Sequence, residues 1–404
     1  MSTANKLQYL IDAKISISAA IEAKGGDVPQ ELSGYGPAIS ALPSGGGDLD
    51  KLTYVLYEDN KISGHLLEGS ISGATTTTPY HAFQNGKVVQ LGNAVTEIGN
   101  AAFRNVSALT AVTIPNSVSS IRSSTFNGCS GLTSISIPDS VLSIGAIFNL
   151  TSNNGNGPFG STSRTLACYN LVSVELGDSV EIIGNGTFQN CSNLTSINLP
   201  DSLIGIGGGG FRYCSSLSSI TFPNSLEGIG SMSFRNCDSL SSINVPASVT
   251  FIGRSAFANC SSIVSISVDP NNPVFDSRDN CNAIISSATN ELAYGCVNTV
   301  IPNTVTSIGN NAFNGHTTLA SISIPSSVTK IDEFAFQNCS SCMTFDFSSA
   351  TAVPTLNNVN AFSSTNANKK IIVPDALYDQ WKATRNWNSS TNGIVDAITK
   401  ASEA

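Results

Sequence analysis

Few residues in this 404-residue chain have the types and spacing that chemistry needs. Cys339-Ser-Ser-Cys342 carries the C-x-x-C spacing of a dithiol redox pair or of half a zinc site. The run from Gly205 to Gly210 contains G-x-G-x-x-G, whose backbone N–H groups can cradle a phosphate when a strand precedes it and a helix follows. Three histidines, His65, His81 and His316, are too few and too scattered for a His-rich metal centre or an acid–base pair. Asn190, Asn259 and Asn338 each open an N-x-S match to the glycosylation sequon. The sequence shows no G-x-S-x-G nucleophile elbow and no evident catalytic carboxylate pair.

The elements that would position these residues come from a repeat. A unit of the form I-G-x-x-A-F-x-N-C-S-x-L-T-S-I-x-I-P-x-S-V recurs every 23 residues, with its first Ile at positions 98, 121, 144, 183, 206, 229, 252, 308 and 331. Two longer intervals place insertions near 146–167 and 270–300. Within each unit, sets such as Leu194, Ile197 and Leu199 follow the alternation of a short strand with one face inward. Pro ends that strand because it offers no N–H to the ladder, and Gly after Ile is expected to permit a bend. One coil cannot bury its Val, Ile and Phe alone, so coils must stack with parallel strands roughly 4.8 Å apart.

Repeat phase reinterprets the motifs. Cys339 falls in a column with Cys129, Cys168, Cys191, Cys214, Cys237 and Cys260, and Cys342 stands where other coils have Leu. Both are expected to be buried thiols in a stacked core, with His316 packed in the same column. Gly210 occupies the Ala position of the repeat, and no βαβ unit surrounds the glycines. No catalytic residue, cofactor or metal is therefore expected. Charged residues make up only 12% of the chain and its net charge is −9 without a basic cluster, which argues against nucleic-acid binding. The start of the chain lacks the pattern of a secretory signal and no apolar run suits a membrane span, so a soluble, cytosolically made chain with reduced cysteines is expected.

The repeat unit, the insertion N-P-V-F-D-S-R-D-N-C-N-A-I-I and the closing I-V-P-D-A-L-Y-D-Q-W-K resemble the BspA-like leucine-rich-repeat family over about residues 80–390. The resemblance implies a leucine-rich-repeat solenoid used for adhesion or recognition on microbial surfaces. The expected layout is a helical segment and Gly linker at 1–47, a β-hairpin region and N-terminal cap at 48–92, the solenoid at 93–348, and a C-terminal cap and tail at 349–404. In that cap Asp375 is expected to N-cap a short helix whose Leu377, Tyr378 and Trp381 cover the last coil.

Residues 4–24 place Leu7, Leu10, Ile17 and Ile21 at near-heptad spacing, a seam for packing on the hairpin, self-association (a trimer, for example) or docking. With V-P and the Gly linker, this segment resembles the N-termini of structural proteins of gut bacteriophages. That resemblance implies a virion protein, a head or tail fibre or decoration, joined to other virion proteins through the helix and assembled in the host cytoplasm. The alternative is a BspA-like adhesin on a bacterial cell surface. In either case the outward strand residues, including Ser196, Asn198, Ser219, Thr221, Ser242 and Asn244, form a flat hydroxyl and amide ladder on the expected concave face. It reads either as a solvated surface or as a shallow site for a host glycan or protein. Phe159, Tyr169 and Tyr294, in or beside the insertions, are equal candidates for recognition.

Overall fold

The structure, a computed structural model, describes residues 95–404 except 146–149, 152–156 and 164–165, together with strands Tyr54–Glu58, Lys61–His65, Gly69–Ile71 and Val88–Leu91. The expected helix with Leu7, Leu10, Ile17 and Ile21, and the Gly linker, lie outside the described residues.

Apolar alternation and Pro stops produce a parallel β-solenoid with two ladders. The front ladder uses the S-I-x-I segment: Ser242–Val245 pairs in parallel with Ser265–Val268, so that Ile243 meets Ile266. The back ladder uses the residues around the Ile of I-G and runs as one eight-stranded sheet from Gly69–Ile71 to Phe251–Ile252. At the head of the front ladder, Tyr54–Glu58 and Lys61–His65 form an antiparallel hairpin that also pairs with Val88–Leu91, which in turn pairs in parallel with Ala111–Thr113. Because the same residue type returns at each rung, the core is a set of columns. Phe103, Phe126, Phe159, Phe188, Phe211, Phe234 and Phe257 stack with ring centroids 5.1 to 5.6 Å apart. Offset aromatic contacts of this kind add to the burial of each ring.

Polar columns tie the coils together as well. Ser117, Ser202 and Ser248, from the P-x-S-V turn, donate to the carbonyls of Val95, Val180 and Leu226 one coil away at 2.7, 2.8 and 2.7 Å. The glycine after Ile has a different role from the bend expected of it. A Cβ on Gly207, Gly230 or Gly253 would come within 2.5, 2.6 or 2.3 Å of the preceding coil, so this column is kept bare by close stacking. Except at Gly145, whose φ is 99°, the left-handed backbone falls elsewhere. One site is three residues after Ile, at Ala101, Ser124, Gly209, Met232, Ser255, Asn311 and Phe334. The other is the Asn column, at Asn105, Asn190, Asn236, Asn259 and Asn338, where Asn tolerates that conformation.

Both insertions differ from expectation. Phe159 is a full member of the ring column, so the first insertion is split around it instead of running unbroken over 146–167. Leu150 lies against Gly228 and its carbonyl accepts from Ser231, which places this stretch across the back of later coils. The second insertion forms an antiparallel sheet of Phe275–Asp276, Ala283–Ser286 and Glu291–Gly295, and Glu291–Leu292 then pairs in parallel with Ser307–Ile308. Alternation makes this sheet a partition: Ile284 and Tyr294 pack in the core before it, while Ala283, Ile285 and Leu292 pack in the core after it.

The front ladder runs past the expected end of the solenoid, through Lys370–Val373 to Ile398–Lys400. Trp381, on the helix Tyr378–Ala383, and Trp387 are fully buried over the last coils, with indole centroids 5.4 Å apart. Asp375 does not cap this helix. Its carboxylate accepts the Ser402 N–H at 3.1 Å, tying the final residues back, because the chain reaches the helix through a preceding turn of 3₁₀ geometry.

Candidate functional site

The motifs that suggested chemistry are absorbed into the stack. Each thiol of the Cys column donates to the carbonyl of a Phe one coil back: Cys129 to Phe103 at 3.0 Å, Cys214 to Phe188 at 3.1 Å, and Cys339 to Phe313 at 3.1 Å. Burial pushes the thiols up, Cys168 and Cys260 to about 12 and Cys342 to about 11, so they are neither nucleophiles nor thiolate ligands at neutral pH. The ten cysteines are free thiols. His316 sits 3% exposed in the same column, and burial drives its pKa down to about 4, leaving a neutral ring. Gly207 serves close packing between coils and Gly210 packs against Ile206 of its own coil; the Gly208 N–H donates to the Asn185 side-chain oxygen at 3.0 Å. Among the described residues, no group of three or more His, Cys, Asp or Glu is placed to hold a metal ion.

What remains for recognition is surface. Ser196, Asn198, Ser219, Thr221, Ser242 and Asn244 are all exposed, on either side of an inward or half-buried residue in each coil. Strand register aligns those on either side of a break in the front ladder at Ser219 and Thr221, which lie in no strand: Ser173 faces Ser196, Ser242 faces Ser265, and Asn244 faces Ser267, whose hydroxyl donates to it at 3.1 Å. The face is built from short side chains on a fixed backbone. Beside its early rungs, Asp139, Glu175 and Asp178 line a cleft of about 500 Å³ that also takes in Thr113 and Ser136.

Of the aromatics near the insertions, Phe159 is fully buried and Tyr294 is 6% exposed, so neither projects for recognition; Tyr169 is half-buried. Phe159 and Tyr294 belong to the core because the insertions fold back onto the solenoid. Sequence reading missed a second cleft, of about 520 Å³, at the back where the partition interrupts the ladder. Arg254, Glu291, Asn310, Lys330, Asp332 and Glu333 line it. Lys330 pairs with Asp332 at 2.8 Å, and desolvation together with Asp332 raises the pKa of the Glu291 carboxyl. The available signal was the loss of repeat phase between Ile252 and Ile308, which brings residues distant in sequence to one place.

A family profile described as "BspA type Leucine rich repeat region" matches the chain in six copies, over residues 68–156, 163–283 and 285–382. No curated protein matches the chain. Among solved structures, the chain is similar to a leucine rich cell surface protein from Faecalibacterium prausnitzii, with 22% identity, a TM-score of 0.47, and coverage of 89% of this chain and 95% of that one. It is also similar to a leucine-rich repeat protein from Bacteroides ovatus, with 25% identity, a TM-score of 0.44, and coverage of 88% and 100%. A leucine-rich repeat protein from Eubacterium ventriosum matches at 19% identity and a TM-score of 0.42, over 80% of this chain and 76% of that one.

Proposed function

The chain belongs to the BspA-type leucine-rich-repeat family, and on that premise we propose that it is a non-enzymatic recognition domain displayed on a bacterial cell surface, where it adheres to a host glycan or protein. The observation that carries this reading is the row of exposed hydroxyl and amide groups on the front face. Ser196/Asn198, Ser219/Thr221 and Ser242/Asn244 repeat the same pair of short polar groups at each rung of a rigid array, so weak contacts to a repeating or extended partner add along it. Burial of the thiols and of His316 keeps these groups away from any substrate, which supports a binding role. Among the described residues no helix is long and apolar enough to cross a membrane.

The virion reading draws on residues 1–47, which lie outside both the described and the family-matched residues, and it stands as the competing outcome of the test. Peptide mass spectrometry of the producing cell's envelope, beside gradient-purified phage particles from the same culture, separates the two. Peptides in the envelope fraction are expected, and stoichiometric peptides confined to the particles would refute cell-surface display. Adhesion is tested by binding to immobilised mucin and fibronectin, comparing the full chain with Ser219→Arg/Ser242→Arg. These substitutions place bulk and charge on the ladder without touching the core, and unchanged binding would remove the front face from the reading.

A further inference from the structure

One charged feature lies away from the front face and both clefts. Arg212 and Arg235 occupy the same repeat position, directly after Phe211 and Phe234, in consecutive coils whose backbones are joined by the Tyr213 N–H to Arg235 carbonyl bond at 2.9 Å. Both are half-buried, and their Nε atoms are buried without a hydrogen-bond partner among the described residues. Neither forms an ion pair with a described carboxylate. Among the described residues, the polar contacts of their terminal nitrogens are Arg212 Nη2 to the Tyr213 hydroxyl at 3.2 Å and Arg235 Nη1 to the Met232 sulfur at 3.9 Å. Burial and the neighbouring Arg212 charge both lower the pKa of Arg235. Two like charges stacked one rung apart destabilise the free protein, and in a chain of net charge −9 the absence of a pairing carboxylate is notable.

Tyr213 completes the arrangement. It stands in the column that other coils fill with Asn or Gly, holds the same left-handed backbone at φ 63°, and is 36% exposed. The Arg212 guanidinium lies 4.8 Å from its ring centroid. A pair of guanidinium forks beside an exposed aromatic ring suits a ligand that has both an oxyanion and an apolar ring face. The footprint spans two rungs, roughly 10 Å, which is the size of one or two sugar rings and far below a protein–protein interface. The overall negative charge disfavours a polyanion such as nucleic acid.

We propose that Arg212, Arg235 and Tyr213 form a binding site for an acidic saccharide, in which the two guanidinium groups hold a sugar-borne sulfate or carboxylate and Tyr213 packs on the ring. This site is independent of the front ladder, so either can fail alone. The test is calorimetric titration of the full chain with a sulfated heparin tetrasaccharide, a galacturonate tetrasaccharide, neutral maltotetraose and inorganic sulfate. Binding is expected for one or both acidic saccharides and not for maltotetraose, and the two acidic probes distinguish sulfate from carboxylate. R212Q/R235Q is expected to weaken that binding at least about tenfold and Y213N several-fold, with melting temperatures that do not fall, since the double change removes the like-charge repulsion and Asn suits the backbone at 213. R212K/R235K, which keeps the charge and loses the fork, is expected to fall between. Equal binding by the wild type and R212Q/R235Q, no binding of either acidic saccharide, or inorganic sulfate binding as tightly as the saccharides would each overturn the proposal.

Discussion

Tyr294→Phe tests whether one hydroxyl ties the partition to the coil before it. Tyr294 packs edge-on to Phe257 at 5.4 Å, and its hydroxyl donates to the Gly253 carbonyl at 2.6 Å and accepts the Ala256 N–H at 2.9 Å. The back ladder is interrupted here, since Phe251–Ile252 and Glu291–Gly295 belong to different sheets. The hydroxyl therefore stands in for ladder bonds between them. Phe keeps the ring and removes both hydrogen bonds. Ala256 N–H retains a turn bond to Gly253 at 3.2 Å, so neither group is wholly orphaned and the loss is about 1–2 kcal/mol rather than the full burial penalty. Read by hydrogen exchange, the opening equilibrium of the Ala256 amide should rise about 5- to 30-fold, with amides around Gly207 unchanged. Unaltered exchange at Ala256 would refute the coupling, as would an equal rise along the whole solenoid.

Three further outcomes follow from the columns. Ala101 holds φ at 58°, so Ala101→Gly should raise stability by about 0.5–1 kcal/mol after the entropy that glycine costs the folded state, measured as a shift in urea midpoint. Stability should fall at alkaline pH: unfolded thiols ionise near their ordinary 9.0 while Cys168 and Cys260 stay protonated to about 12, so the contribution is complete below 9.0 and lost as pH rises toward 12. Each such thiol contributes a slope of about 1.4 kcal/mol per pH unit in that window, and denaturation midpoints that do not move there would contradict it. His316 behaves in the opposite sense, because its folded pKa of about 4 lies below the ordinary 6.5; stability is full above 6.5 and lost as pH falls through about 4. His316→Cys, which restores the column's thiol, should remove up to about 3 kcal/mol of that acid sensitivity, seen as a flatter melting temperature between those pH values.

Particular residues show how far sequence reading reached. The Cys column was legible because a residue that recurs at one repeat position must meet itself in the stack, which placed Cys339 and Cys342 in the core. The aligned exposure of Ser219, Thr221, Ser242 and Asn244 followed from the same alternation. Phe159 and Tyr294 were misplaced because they sit where the phase is lost, and an aromatic in an inserted segment gives no local sign of whether it projects or folds back. The glycine after Ile was read as a bend, whereas its need comes from the neighbouring coil's backbone, as at Gly253.

By itself, the sequence determined the periodic part of this protein: a 23-residue coil, parallel stacking, and buried Phe, Cys and Ile columns. These follow from spacing within one unit and self-contact between identical units, which are local or strictly repeating relations. Only the tertiary structure decided that the second insertion becomes a wall between two cores, that Tyr294 ties this wall to the coil before it, and that Arg212 and Arg235 stack without a counter-charge among the described residues. The physical reason is range. Tyr294 reaches Gly253 across 41 positions of chain, and such a contact depends on how an aperiodic segment folds back, which no repeat spacing encodes.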